Sequence, residues 1–88
     1  MQKNEFNDQF FDAVLTLKTR EECYKFFSDA CTPKEIATIA QRFAVAKMLN
    51  QKQVYSEIVK NTGASTATIS RVNRAINEGF QLAFERLK

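Results

Sequence analysis

Eighty-eight residues with eight Phe, two Gly and one Pro leave room for a single domain at most and for few turns, so the chain is expected to be nearly all helix. The formal charge of +3 is unevenly spread: residues 1–41 hold five Lys/Arg against seven Asp/Glu, and residues 42–88 hold eight against three. Histidine is absent, and the sequence offers no paired-carboxylate pocket, plausible cysteine nucleophile or metal cluster, which argues against an enzyme.

The first helix is predicted from roughly Asn4 to Lys18. Phe6, Phe10, Val14 and Leu17 form one apolar stripe, and Phe11 and Leu15 form a second, displaced around the helix. A surface helix needs only one stripe, so two imply contact with more than one neighbour. In so short a chain, which buries a small share of its surface alone, that favours a helix wedged between two protomers. Asp8, Asp12 and Thr16 interrupt every apolar run here, so no signal peptide is expected. No stretch is long enough to span a bilayer.

Thr19-Arg20-Glu21-Glu22 has the form of a capping box, with Thr19 at the cap and Glu22 reaching back to its N–H. It opens a second helix with core positions Cys23, Phe26, Phe27 and Ala30, ending near Cys31. The two cysteines match no zinc spacing and are expected as buried free thiols, in keeping with a reducing cytoplasm. Thr32-Pro33-Lys34-Glu35 repeats the capping pattern, with Pro at the favoured first position. The third helix, roughly Pro33 to Asn50, carries Ile36, Ile39, Ala40, Phe43, Ala44, Ala46 and Met48 around much of its circumference and is the natural central strut. Residues 1–50 are expected to form the dimerisation helices.

After the polar link Asn50–Gln53, residues 55–77 read as two short helical patterns joined by Gly63-Ala64-Ser65. Gly is the cheapest residue for a left-handed C-cap, and Ser is among the best N-caps. One helix therefore stops and another starts within three residues, the turn length of a helix-turn-helix. In the second helix Ile69, Val72 and Ile76 share one face, and Ala67, Ser70, Arg71 and Arg74 share the other. From Ile58 through Asn77 there is no acidic residue, while Lys60, Arg71 and Arg74 are basic. Helices usually place Asp or Glu in the first turn; Thr66, Ala67 and Thr68 stand there instead, which suits a phosphate at that end. Residues 78–88 continue as a last helix through Phe80, Ala83, Phe84 and Leu87, with Gly79 expected at a bend or break.

Thr32-Pro33, Gln41-Arg42 and Gly63-Ala64-Ser65-Thr66-Ala67-Thr68-Ile69-Ser70-Arg71 resemble the Trp repressor superfamily, and within it the Trp-repressor-related YerC/YecD group. The resemblance covers about Thr32 to Asn77 well and the N-terminal helices only in pattern. The Gly-Ala-x-x-Ala-Thr-Ile-[ST]-Arg run is fairly specific; Thr-Pro at a helix start is not. It implies an all-α fold, an intertwined helical homodimer from which two helix-turn-helix units project. It also implies that Thr66, Ala67 and Ser70 face base edges and that Arg71 contacts phosphate or covers a ligand. Thr32 and Arg42 match positions that line the corepressor pocket of tryptophan-binding members. Two residues depart from those members: Val72 stands where they have glycine, and Ala75 where a serine holds the ligand's amino group.

The combined expectation is a cytoplasmic, homodimeric regulator that binds double-stranded DNA and does not respond to tryptophan. Lys60, Ser65, Thr66, Ala67, Thr68, Ser70, Arg71 and Arg74 are its expected DNA-binding residues. Thr32, Arg42, Arg71, Val72 and Ala75 form its candidate effector pocket. No cofactor is expected. The alternative is a helical dimeric adaptor that uses the same surfaces for protein contacts.

Overall fold

The computed structural model describes residues 1–75 and 78–87. Among them are six helices and no strand: α1 (Glu5–Val14), α2 (Arg20–Ala30), α3 (Pro33–Asn50), α4 (Tyr55–Thr62), α5 (Thr66–Ala75) and α6 (Glu78–Arg86). The fold is all-helical, as composition requires. The chain divides into two compact units, Met1–Pro33 and Lys34–Lys88. Ile76, assigned from sequence to the buried face of the second hairpin helix, lies outside the described residues, as do Asn77 and Lys88.

In the N-terminal unit α1 begins where Asn4 Oδ1 accepts the N–H of Asn7 at 2.8 Å, a side-chain cap on an otherwise orphan donor. It ends at Val14, four residues before the predicted Lys18. The reason is local: the N–H groups of Thr16 and Leu17 turn back to the carbonyls of Ala13 and Val14, and the Thr16 hydroxyl donates to Ala13 O at 2.6 Å. These i→i+3 bonds tighten the last turn and close the helix. Thr19 caps α2 by accepting the Glu22 N–H at 3.1 Å. The Glu22 carboxylate accepts from the N–H of Lys18 at 2.8 Å, one residue earlier than the capping-box pattern places it.

The two helices meet through Phe10, whose ring lies 5.6 Å from that of Phe26 and 6.2 Å from that of Phe27. Yet no residue of α1 or α2 is fully buried. Phe6 is 83% exposed, Leu15 81% and Tyr24 71%. In the second predicted stripe Leu15 is left open, while Phe11 is 42% exposed with its ring 5.7 Å from that of Phe10. Cys23 and Cys31 are free thiols, but Cys23 is exposed and Cys31 half-buried. The expected burial fails because α2 has only one neighbour in this unit, and Cys23 sits in the first turn beyond the Phe cluster.

The C-terminal unit holds the core. Val45 and Ala46 of α3, Ile58 of α4, Ala64 of the turn, Ile69 and Val72 of α5 and Phe84 of α6 are buried together. Val45, Ile58 and Ile69 are the largest fully buried side chains, each worth about 1.5–3 kcal/mol of transfer free energy. Val45 and Ala46 are consecutive, so α3 is covered over a wide arc at this level. Phe43 braces α6, with its ring 5.3 Å from Phe80 and 5.4 Å from Phe84. Towards its start α3 opens: Ile36 and Ile39 are exposed, although both are helix-core candidates by spacing. Gly79 is the second residue of α6, and the junction where a bend or break was expected lies outside the described residues. Its missing side chain leaves open space.

Candidate nucleic-acid interface

The hairpin of α4 and α5 is built as its residues dictate. α4 ends at Gly63, which adopts φ +73°, a left-handed conformation that costs glycine little. Its N–H donates to Val59 O at 2.9 Å. The Thr62 hydroxyl donates to Ile58 O at 2.7 Å and accepts the Ala64 N–H at 3.1 Å, so the turn's first amides are satisfied. Ala64 is buried, pinning the middle of the turn in the core. Ser65 Oγ then accepts the Thr68 N–H at 3.1 Å, the N-cap expected for α5, and donates to Thr68 Oγ1 at 3.0 Å. Three residues thus reverse the chain with every step held by a named bond or by burial.

α5 turns Ile69 and Val72 into the core, and the rest of its circumference divides by size and charge. Thr66, Ala67, Arg71 and Arg74 are exposed, and Thr68 and Ser70 are half-buried. Its first turn carries no acidic residue. The positive end of the helix dipole is therefore uncompensated from within, and Thr66 and Ala67 offer little bulk to keep a polyanion away. Lys60 is exposed on α4, and Ser65 is exposed in the turn. Every residue expected from sequence to face DNA lies on this hairpin. The charged side chains exposed on the hairpin are Lys60, Arg71 and Arg74, with Glu57 in the first turn of α4.

A cleft of about 370 Å³ separates α3 from α5, lined by Thr38, Gln41, Arg42, Thr68, Arg71, Val72 and Ala75. Arg42, Arg71, Val72 and Ala75, proposed from sequence as one pocket, come together there. Thr32 belongs to the N-terminal unit, whereas this lining is drawn from the C-terminal one. Thr38, Gln41 and Thr68 were not anticipated as pocket residues, Thr68 being expected only at the DNA face. Helical spacing carried the signal: Thr38 lies four residues before Arg42, and so on the same face. Val72 has both roles that its sequence position allows. It is only 7% exposed within the core, and it also forms cleft wall. Two arginines line the cleft, and no acidic side chain does so among the described residues.

Among the described residues no group of His, Cys, Asp and Glu could hold a metal ion, and no helix is long and apolar enough to cross a membrane. Comparison with known proteins gives a consistent assignment. The model of the Trp repressor protein family matches residues 5–88. The uncharacterised protein YerC of Bacillus subtilis is 51% identical over 84 residues, covering 92% of this chain and 81% of that protein. A crystal structure of a TrpR-like protein from Eubacterium eligens superposes with a TM-score of 0.93 at 51% identity, over 97% of this chain and 91% of that one. A candidate Trp repressor from Staphylococcus aureus gives 0.91 at 46% identity, over 97% and 88%. The chain belongs to the Trp repressor family, in the group related to YerC.

Proposed function

We propose that the protein is a homodimeric, sequence-specific DNA-binding regulator of transcription, acting in the cytoplasm as a repressor and without a response to tryptophan. One observation carries the reading: α5 buries Ile69 and Val72 while presenting Thr66, Ala67, Arg71 and Arg74 outward behind a carboxylate-free N-terminus. Small residues near the start admit the helix to a major groove, and arginines further along supply phosphate or guanine contacts. Dimerisation is supported by the exposed apolar side chains of α1 and α2, a patch that a small monomer rarely leaves open.

The cleft between α3 and α5 supports an effector site of altered specificity. Arg42 and Arg71 suit an anionic or planar group. Val72 narrows the wall where glycine would let a ring lie against the backbone, and Ala75 offers no hydroxyl to an ammonium. On this reading the cleft either takes a different small effector or works unfilled.

The test is capture of genomic duplex fragments by the purified protein, followed by anisotropy titrations at several salt concentrations. Nanomolar binding to a recovered fragment, with log K falling steeply in log [salt], is the expected result. Protein unaffected by duplex DNA at low salt would leave the helical adaptor as the better reading.

A further inference from the structure

The apolar contacts that seat the hairpin on α3, through Val45 and Ala46 against Ile58, Ala64 and Ile69, are strong but non-directional. They oppose separation far more than rolling. A hydrogen bond across the same junction has direction and fixes rotation. The structure has such a bond: Gln41 Nε2 donates to the carbonyl oxygen of Thr62 at 3.1 Å, in a partly buried position. Its acceptor is one of the last carbonyls of α4, which have no partner within their own helix. A donor placed there also meets the negative end of the helix dipole. Thr62 immediately precedes the turn, and Ser65, the cap of α5, follows three residues later. The bond thus ties the strut to the point from which the reading helix is aimed.

We propose that Gln41 is a positioning residue for DNA reading: its side-chain amide clasps the end of α4 to α3 and holds α5 at its reading angle by an intramolecular bond. This rests on the DNA-binding function proposed above. The clasp also borders the cleft, since Gln41 is one of its lining residues.

Two variants test the clasp. Gln41→Met keeps the length and helix propensity and removes the donor. Gln41→Glu keeps the shape and sets an ionised acceptor against the carbonyl. Each is titrated with a captured duplex at a temperature well below its melting transition, across a salt series. The expected result is an affinity lower by about fivefold per reading head, the fold-change matching one net hydrogen bond, with the salt slope unchanged in the neutral Gln41→Met. A purely structural role would lower the melting temperature but leave the affinity of the folded molecule at the wild-type value. A folded variant of either kind that binds as tightly as wild type overturns the proposal. So does an affinity loss confined to particular base pairs of the captured site, because Gln41 would then be reached by the DNA itself. If the wild-type chain shows no salt-dependent binding, the DNA-reading function fails and takes the clasp's role with it; equal affinities in wild type and variant sink the clasp alone.

Discussion

Arg42 on α3 and Arg71 on α5 line one cleft, with Val72 between the helices both as cleft wall and as part of the core. Two guanidiniums gathered around one space can grip a planar or anionic group. Val72 cannot withdraw to make room, because it is packed at 7% exposure among Val45, Ile58 and Ile69. Ala75 is exposed and offers no hydroxyl to an ammonium, so one hydrogen bond of about 0.5–1.5 kcal/mol is missing, and each 1.4 kcal/mol is roughly tenfold in affinity. L-Tryptophan at millimolar concentration is therefore expected to give no saturable heat in titration calorimetry and no change in DNA affinity. Micromolar saturable binding would show that the cleft still recognises the amino acid.

Phe6 makes the assembly testable without touching the fold. It is 83% exposed and outside the Phe10–Phe26–Phe27 cluster, so Phe6→Asp should leave α1 and α2 intact within the chain. In a symmetric dimer the substitution acts twice. Losing the burial of two Phe side chains, at about 1.5–3 kcal/mol each, raises the dimer dissociation constant by at least about a hundredfold. Light scattering at micromolar concentration should report a dimer for wild type and a dissociating species for the variant. A wild-type monomer at that concentration would rule out the dimer.

The hairpin was legible in sequence because its signals are local. Gly63 as left-handed cap, Ser65 as N-cap and the Ile69–Val72 face each depend on residues within one or two turns. The end of α1 was not, because apolar spacing runs on through Leu17 while the Thr16 hydroxyl turns back to Ala13 and stops the helix. The clasp from Gln41 to Thr62 was not legible either. A glutamine on a helix has many reachable acceptors, and only the packing of Val45 against the hairpin selects this one. Exposure of Cys23 follows likewise from tertiary surroundings, not from its place in a helical pattern.

Arg74 and Ala67 separate affinity from sequence preference. Both are exposed on α5, one basic and late in the helix, the other small and in the first turn. On the proposed reading Arg74 contacts phosphate, so Arg74→Ala should weaken binding to all duplexes alike and reduce the salt slope by about one unit. Ala67→Gln adds a long polar side chain where the proposed reading places base edges, and should change which sequence is preferred while the slope holds. The captured site should be pseudo-palindromic, with half-site centres about 34 Å apart. Two variants that bind the wild-type site unchanged would remove α5 from the groove.

Lys52 and Gly63 give the last prediction, because they occupy the same backbone state with opposite suitability. Lys52 has φ +65° and Gly63 φ +73°; both follow a helix as its left-handed cap residue. After α3, Lys52 N–H donates to Leu49 O and Gln53 N–H to Met48 O, the paired bonds of a Schellman motif. That position favours glycine, since a Cβ in the left-handed region costs about 1–2 kcal/mol. Lys52→Gly should therefore stabilise the protein by about 1 kcal/mol, less whatever entropy the freer unfolded chain takes back. Gly63→Ala should do the reverse, by about 1–2 kcal/mol. Because nothing lies within 4 Å of the added methyl, the whole effect is conformational and owes nothing to a clash. Urea titrations should move the two midpoints in opposite directions with unchanged m-values, and melting temperatures should shift by roughly 4–8 °C per kcal/mol. If Gly63→Ala proved neutral, the turn would have an alternative backbone path open to it, and the reversal between α4 and α5 would rest on Ser65 and buried Ala64 alone.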